Sequence, residues 1–186
     1  MTDAEADPLL AALEGWLGKP LGAPGLAPDE VNRSMIQHWV DALDDRNPVY
    51  LDEEFAATSR FGGIVAPPAM LQTWTMPRPR IEGIAERGGA PGEIGADNPI
   101  SVLSNAGYTG TLATNSELEF ERYLRPGDRL RSATQLESIS NRKQTARGLG
   151  YFVTWLTTYT DGEGEVVGRQ RFRILKFQPA PAGAEA

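Results

Sequence analysis

The pattern of hydrophobic and polar positions divides the chain into a helical first half and a β-rich second half. Helical patterns in the first half predict four helices: residues 9–17, 35–43, 52–60 and 69–76. The second half predicts four strands joined by turns: residues 111–122, 129–138, 149–160 and 165–177. This order indicates one α+β domain in which an antiparallel sheet wraps around a buried helix. Segment 69–76 is the candidate for that helix, because it is apolar nearly all round.

A short helix and a linker precede the main domain. Asp7 is the predicted N-cap of this helix, Pro8 fits its first turn, and Gly18 is the predicted stop. The next residues, 19–28, are rich in Gly and Pro and predict an extended linker. We therefore divide the chain into a helix with its linker, a main domain and a flexible tail: residues 1–28, 29–178 and 179–186.

The second predicted helix has one apolar stripe that faces the core. Its members are Met35, Ile36, Trp39, Val40 and Leu43. His38, the single histidine of the chain, lies on the polar face, so we expect a solvated or interface residue rather than a catalytic one. Residues 78–107 contain many Gly and Pro residues and predict a long loop with room for a short helix.

Composition removes several classes of function. The chain has 18 basic and 25 acidic residues, a net charge of -7, and no basic run that would neutralise nucleic-acid phosphates. It has no cysteine and one histidine, which excludes disulfides, thiolate nucleophiles and multi-histidine metal sites. Acids occupy the N-terminus where a signal peptide is positive, and no apolar run of about 18 residues is present. We expect a cytoplasmic protein with no metal, nucleic-acid partner or membrane partner.

Three motifs follow one another in an order and spacing that point to one family. They are Asp45-Arg46-Asn47-Pro48, Gly62-Gly63-Ile64-Val65-Ala66-Pro67-Pro68 and Tyr123-Leu124-Arg125-Pro126-Gly127-Asp128-Arg129-Leu130. With them, the chain from about residue 32 to residue 177 resembles the MaoC-like dehydratases of the hot-dog superfamily, particularly the FAS1-like N-terminal dehydratase type. The resemblance implies the hot-dog fold, in agreement with the α+β pattern.

The first motif lacks one residue of the family pattern. In MaoC-like hydratases the corresponding run is Gly-Asp-x-Asn-Pro-x-His, whose Asp and His activate a water molecule. Here Asp45 and Asn47 are present, but Tyr50 stands where the His is expected. A tyrosine cannot act as a base near neutral pH unless its pKa of about 10 is strongly lowered. An alternative role for Asp45 and Asn47 is a helix-terminating turn, in which both side chains bond nearby backbone groups.

The resemblance therefore implies one subunit of a heteromeric 2-enoyl-CoA hydratase. The chain looks most like subunits of acyl-CoA hydratases in steroid side-chain degradation, where a second hot-dog chain carries the catalytic residues. The implied substrate is an acyl-CoA with a bulky acyl group such as a steroid, and no cofactor is implied. In some such relatives an OB-fold domain follows and binds a thiolase. A thiolase is thus a further implied partner, through a domain that this sequence does not include.

The second motif and the helix after it form the candidate acyl-thioester site. Glycines allow close approach of the backbone to the thioester, and a helix N-terminus faces its carbonyl. The candidate substrate-binding residues are Gly63, Ile64, Val65, Ala66, Pro67, Met70 and Trp74. The structural alternative is a tight turn that opens a buried helix. For the phosphates of coenzyme A the candidates are Arg142, Lys143 and Arg147, for which simple solvation of hairpin charges is the alternative.

Two other functions stay open at the level of the sequence. One is a non-enzymatic acyl-CoA-binding or scaffolding hot-dog module, which would bind acyl-CoA without turnover. The other is a thioesterase, because the hot-dog fold also hosts that activity and a fold alone does not determine function. Thioester hydrolysis rather than hydration would identify the second, and the chain has no motif specific to it.

Overall fold

A computed structural model of the protein describes residues 7–85 and 98–179. The helices in these residues are α1 (Pro8–Glu14), α2 (Arg33–Leu43), α3 (Pro48–Leu51), α4 (Glu53–Thr58), α5 (Leu71–Thr75) and α6 (Pro99–Asn105), with a 3₁₀ turn (Pro68–Met70) before α5. The strands are β1 (Gly25–Leu26), β2 (Gly110–Phe120), β3 (Arg131–Ile139), β4 (Lys143–Thr145), β5 (Gly148–Thr160) and β6 (Val166–Phe177). Strands β2, β3, β5 and β6 confirm the four predicted strands to within about two residues at each end.

The strands form one antiparallel sheet in the order β1-β3-β5-β6-β2, and β4 pairs with the start of β5. A tight turn joins β5 to β6. In it, Asp161 Oδ1 accepts hydrogen bonds from the backbone nitrogens of Glu163 (3.1 Å) and Glu165 (3.0 Å), and Gly164 adopts a φ of +90°. Strands β1 and β4 were not predicted, because two or three residues are too few to show a period.

Alternation along β5 sends every second side chain to the face that the helices cover. This inward series is Tyr151, Val153, Trp155, Thr157 and Tyr159. Two buried clusters lie along it. The proximal cluster includes residues of α2, α4 and α5: Ala27, Val31, Ile36, Ala56, Ile64, Ala66, Met70, Leu71, Trp74, Leu124, Leu130, Tyr159 and Val167. The distal cluster includes residues of α1 and α6: Leu13, Leu103, Tyr108, Leu136, Tyr151, Val153 and Ile174.

The buried helix of the fold consists of the 3₁₀ turn and α5. Met70, Leu71 and Trp74 are 0%, 2% and 4% exposed, so the prediction of a buried helix here is confirmed. The segment is not buried all round, however, because Gln72 and Met76 are exposed. Successive residues of a helix point about 100° apart, so a helix that packs on the sheet with one side leaves its other side in solvent.

Gly168 of β6 allows α5 to approach the sheet closely. A β-carbon at this position would lie 2.6 Å from Leu71 Cδ2 and 2.6 Å from the carbonyl oxygen of Glu119 on β2. Both contacts are shorter than van der Waals separation. Any larger residue at position 168 therefore displaces α5, β2 or both.

Helix α1 ends at Glu14, about one turn earlier than predicted. Its N-cap is as predicted, since Asp7 Oδ1 accepts hydrogen bonds from the backbone nitrogens of Leu9 (3.1 Å) and Leu10 (3.2 Å). After Glu14 the chain turns to the edge of the sheet, where Leu17 bridges to Leu136 of β3. Strand β1 then pairs with β3, so the linker is extended, as predicted.

Helix α2 confirms the predicted helix, but its apolar stripe is wrong at both ends. Ile36 and Val40 are each 1% exposed, whereas Met35 is 40% and Leu43 63% exposed. The proximal cluster covers only the middle of the helix, and periodicity does not report how far a neighbouring element extends. His38 is exposed, as predicted.

The predicted long loop, residues 78–107, contains the described helix α6. Its residues 86–97 lie outside the described part of the chain, as do residues 180–186 of the predicted tail. Within the described residues, none of the helices has the length and apolar character needed to span a membrane.

Candidate functional site

The first motif forms the turn between α2 and α3. Asp45 Oδ1 accepts a hydrogen bond from the backbone nitrogen of Asn47 (3.0 Å), and Asn47 Oδ1 caps α3 by accepting one from Val49 (3.3 Å). Asp44 before them has a φ of +50°, the left-handed conformation that ends α2. Both side chains therefore make the local backbone contacts of the structural alternative. A direct role for Asp45 in chemistry stays a prediction.

Tyr50 lies beside this turn, half-buried against the proximal cluster. The pKa of Tyr50 is raised above its ordinary value, mainly by burial and further by the neighbouring Tyr123 and Asp45. A hydrogen bond with Asn47 lowers the pKa, but the raising effects are larger. The phenol consequently keeps its proton at neutral pH. It can donate a hydrogen bond, but it cannot take a proton from water.

The second motif makes a sharp turn and then enters the core. Gly62 and Gly63 have φ values of +64° and +152°, which glycine adopts more readily than other residues. The Gly63 nitrogen donates to the Ala56 carbonyl (2.9 Å), and the Ala66 nitrogen donates to the Leu124 carbonyl (2.8 Å). The second hydrogen bond joins this motif to the third, as does a hydrogen bond from the Arg125 guanidinium to a backbone carbonyl within the turn.

The predicted acyl-site residues separate into cavity-lining and core residues. Gly63 and Ile64 line an open cavity of about 340 Å³, and Val65 lines a neighbouring one of about 550 Å³. The others are buried in the protein: Ala66, Pro67, Met70 and Trp74. Their role in acyl binding stays a prediction. The Trp74 indole nitrogen is buried and has no hydrogen-bond partner within the described residues.

A third cavity, of about 220 Å³, lies between the end of α5 and the inward face of the sheet. The residues that line it are Gln72, Thr75, Met76, Pro77, Ser132, Thr134, Trp155, Thr157, Tyr159, Gln170 and Phe172. We call it the sheet cavity. Sequence reasoning missed it because these residues come from four separate elements, and only the pairing of β3, β5 and β6 brings them together.

The polar side of the sheet cavity is held by hydrogen bonds around Gln170, which is 5% exposed. The Tyr159 hydroxyl donates to Gln170 Oε1 (2.9 Å), and Gln170 Nε2 donates to Gln72 Oε1 (3.1 Å) and Ser116 Oγ (3.0 Å). A buried amide with all these partners is fixed in orientation. The one signal in the sequence was a glutamine at an inward position of a predicted strand.

The predicted coenzyme A residues lie at the other end of the sheet. Arg142 Nε is 4.0 Å from Asp7 Oδ2, which also accepts a hydrogen bond from Tyr151 (2.6 Å) in the distal cluster. That hydrogen bond is the main cause of the lowered pKa of Asp7, whereas burial is the main cause of the raised pKa of Tyr151. Tyr151 and Tyr159 are eight residues apart on β5, or about 26 Å at the rise of a strand.

Within one chain, the structure therefore does not bring the predicted coenzyme A residues to the Gly62–Gly63 turn. Lys143 and Arg147 are exposed on the β4 hairpin. A role for them or Arg142 in binding coenzyme A stays a prediction. Among the described residues, no group of three His, Asp or Glu side chains is placed to hold a metal ion.

The family of the chain follows from comparison with known proteins. The sequence model of the FAS1-like dehydratase domain region matches residues 24–170. The chain belongs to this family. The three motifs and the antiparallel sheet around α5 therefore belong to a FAS1-like, MaoC-like dehydratase region, and the resemblance inferred from the motifs is confirmed.

Two curated relatives are more specific. Over 168 residues the chain is 46% identical to the "Probable enoyl-CoA hydratase alpha subunit" of Thermomonospora curvata, covering 90% of this chain and 51% of the relative. Over 157 residues it is 41% identical to the "3-oxo-4,17-pregnadiene-20-carboxyl-CoA hydratase alpha subunit" of Mycobacterium tuberculosis, covering 84% and 48%. This chain therefore spans about half the length of these two relatives.

Solved structures confirm the hot-dog fold. A chain of the ChsH1-ChsH2 complex from Mycobacterium tuberculosis superposes with a TM-score of 0.78 at 38% identity, covering 95% of this chain and 94% of that chain. The MaoC-like dehydratase from Rhodospirillum rubrum superposes with a TM-score of 0.56 at 23% identity, covering 86% and 94%. At that identity the second match supports the fold alone.

Proposed function

We propose that this chain is one subunit of a heteromeric 2-enoyl-CoA hydratase, and that a second hot-dog chain supplies the catalytic Asp and His. The observation that carries the proposal is Tyr50, a tyrosine with a raised pKa where the family motif has its histidine. The names of the two curated relatives, both alpha subunits of hydratases, support it.

Hydration of a 2-enoyl thioester requires a base for water, an acid for C2 and donors for the thioester oxygen. In this chain Tyr50 is protonated and Asp45 is held by a backbone nitrogen of its own turn. His38 is exposed on the polar side of α2. No pair of these residues supplies the proton transfers, so the proposed partner must supply them.

Strand β2 offers a surface for such a partner. It is an edge strand of eleven residues whose one neighbour among the described strands is β6, and nine of its residues are exposed. An exposed edge of this length presents backbone N–H and C=O groups to a partner strand. Leu112 (44% exposed) and Phe120 (45% exposed) add apolar surface there. The proposed assembly is a heterotetramer with two copies of each chain.

The proposed substrate is an acyl-CoA with a bulky acyl group, such as a steroid side-chain acyl group. Support comes from the name of the Mycobacterium tuberculosis relative and from the sheet cavity, whose Trp155 and Phe172 are only half-buried. The thioester is the substrate, and the proposed reaction needs no cofactor. The proposed location is the cytoplasm. A thiolase is a further proposed partner, which rests on the family resemblance alone.

The test is turnover of a 2-enoyl-CoA by the chain alone, by a MaoC-like chain encoded next to it, and by the two coexpressed. We expect hydration by the coexpressed pair, and none by this chain alone. Replacing the motif histidine of the partner should abolish that activity. Turnover by this chain alone at the rate of the mixture contradicts the split site. Release of free thiol indicates a thioesterase instead, because hydration leaves the thioester intact, and binding without any turnover indicates a scaffold.

A further inference from the structure

Phe61, the residue before the second motif, contacts two arginines. The Arg60 guanidinium lies over its ring, 4.8 Å from the centroid, and the Arg125 guanidinium donates a hydrogen bond to its carbonyl. Tyr123 packs on the same ring with 4.6 Å between centroids. Arg125 also lies close to Gly63 in the same turn, since a β-carbon on Gly63 would lie 3.5 Å from its Nη1 atom. Two cations and two aromatic rings are thus gathered at one turn.

These two arginines carry charge that the rest of the described chain does not neutralise. Two other arginines line the same region, but Arg33 pairs with Glu53, and Arg122 pairs with Asp128 (2.7 Å) and a second aspartate. Among the described residues no ion pair reaches Arg60 or Arg125, and both are exposed. In a chain with a net charge of -7, this is a local surplus of positive charge.

Two neighbouring cavities connect the arginines to the glycine turn. Arg125 lines both the cavity of about 550 Å³, together with Arg60 and Tyr123, and the cavity of about 340 Å³ that contains Gly63 and Ile64. A ligand that lies along both cavities passes from the arginines to the glycine turn. Guanidinium groups bind phosphate through paired hydrogen bonds, and exposed aromatic and guanidinium planes stack on nucleobases.

We propose that this cleft, defined by Arg60, Phe61, Tyr123 and Arg125, binds the nucleotide end of the acyl-CoA. Arg60 and Arg125 contact its phosphates, and the thioester end extends past Gly63. The inference rests on the proposed function for the identity of the ligand. It assigns the phosphates to this cleft and not to Arg142, Lys143 and Arg147. Arg142 lies instead beside the distal cluster at the other end of the sheet, with its Nε 4.0 Å from Asp7 Oδ2.

The test is binding of coenzyme A and, separately, of pantetheine, which lacks the nucleotide. Titration calorimetry is done with the full chain and with the coexpressed pair. Arg60→Gln and Arg125→Gln should each weaken binding of coenzyme A about tenfold, because each removes a charged contact to phosphate. Binding of pantetheine should not change. Lys143→Gln and Arg147→Gln are matched controls, with the same loss of one exposed charge, and should leave binding of coenzyme A within about twofold.

Arg60 provides a second series that does not depend on the Phe61 carbonyl contact. Affinity for coenzyme A should fall in the order Arg60→Lys, Arg60→Gln, Arg60→Glu, with the same thermal midpoint in all three variants. Equal affinity in the Lys and Glu variants overturns the proposal. A loss with the hairpin variants and none with the cleft variants also overturns it, as does the absence of coenzyme A binding by both the chain and the pair.

The same variants distinguish a failure of the cleft proposal from a failure of the hydratase proposal. Weaker coenzyme A binding in the arginine variants, with no hydration by any mixture, supports the cleft and contradicts the hydratase. Hydration by the coexpressed pair with KM unchanged in the same variants supports the hydratase and overturns the cleft. If both proposals hold, the variants raise KM and leave kcat near that of the unchanged pair.

Discussion

Tyr50 occupies the position at which the family motif has a histidine, and its surroundings agree with the loss of the base. Burial against the proximal cluster raises the phenol pKa, and the hydrogen bond with Asn47, which lowers it, does not offset that increase. Asp45 and Asn47 beside it make the backbone contacts of the turn between α2 and α3. Residues at the positions of a catalytic motif can therefore hold local structure while the histidine of that motif is absent.

Asp45→Asn tests this separation of structure from chemistry. We expect the coexpressed pair to keep its kcat within about threefold, because an amide oxygen can still accept the hydrogen bond from Asn47. Steady-state hydration assays measure the effect, and the thermal midpoint serves as the folding control. A loss of about a thousandfold in a folded variant would place Asp45 in the chemistry.

Lys176 is a second residue whose charge state matters, because it is 3% exposed and its hydrogen bonds within the described residues go to neutral oxygens. Its Nζ contacts Ser104 Oγ (3.1 Å), the Thr109 carbonyl (3.5 Å) and Thr111 Oγ1 (3.0 Å). Burial lowers the pKa of the ammonium. Between that lowered pKa and the ordinary 10.5, the unfolded chain binds more protons than the folded one. The contribution of Lys176 to the free energy of unfolding therefore rises with pH in this window.

Lys176→Met removes the titrating ammonium, so the variant serves as the reference for the free energy of unfolding. We expect the free energy of unfolding of the unchanged chain, minus that of the variant, to be larger at pH 10 than at pH 7. Urea denaturation at both values measures the difference, in which the titration of other groups cancels. A difference that is constant or falls with pH contradicts a lowered pKa for Lys176.

At the scale of elements, the position of α5 depends on one close contact with the sheet. Gly168 on β6 leaves space for Leu71 of α5 and for the backbone of β2, which a β-carbon would approach to 2.6 Å. The same packing sets the width of the sheet cavity, because Gln72 and Thr75 of α5 line it. The width of the sheet cavity and the packing of α5 are thus coupled through β6.

Gly168→Ala should lower the free energy of unfolding by about 1–3 kcal/mol, the cost of overpacking a core. Gly162→Ala is the matched control. Its β-carbon meets nothing within 4 Å, so we expect a change within about 0.5 kcal/mol. Urea denaturation of both variants checks the prediction. Equal stability of the two would mean that α5 shifts without cost.

At the scale of the whole molecule, charge and apolar surface are unevenly placed. The cationic cleft lies at the second motif, while the exposed edge strand β2 ends the sheet on one side. Among the described strands, the eleven residues of β2 form an exposed edge whose free backbone groups can pair with a further strand.

The double variant Leu112→Lys and Phe120→Lys tests the edge as the partner surface. We expect the variant to fold but to bind the partner at least about tenfold more weakly, because charges on an edge strand oppose further pairing. Leu43→Lys at the end of α2 is the control, since Leu43 is 63% exposed and belongs to no strand of the sheet. Size-exclusion chromatography with light scattering measures the complex. Unchanged assembly of the double variant would exclude β2 as the interface.

Local sequence determined the properties that depend on neighbours along the chain. Strand periodicity placed β2, β3, β5 and β6 to within about two residues, and the Asp7 cap and Gly164 turn appeared where their side chains predict them. The three motifs determined the family, because their order and spacing are read along the chain. The missing histidine was equally visible there.

Tertiary structure alone decided which surfaces are covered and which residues meet. Met35 and Leu43 share the apolar period of α2 but remain exposed, because the proximal cluster reaches only the middle of that helix. Arg125 joins Phe61 across 64 positions of sequence, and Gln170 joins Gln72 across 98. Periodicity describes one element at a time, whereas burial and charge pairing depend on contacts between distant elements. The family could therefore be determined from the sequence, but the cationic cleft and the sheet cavity could not.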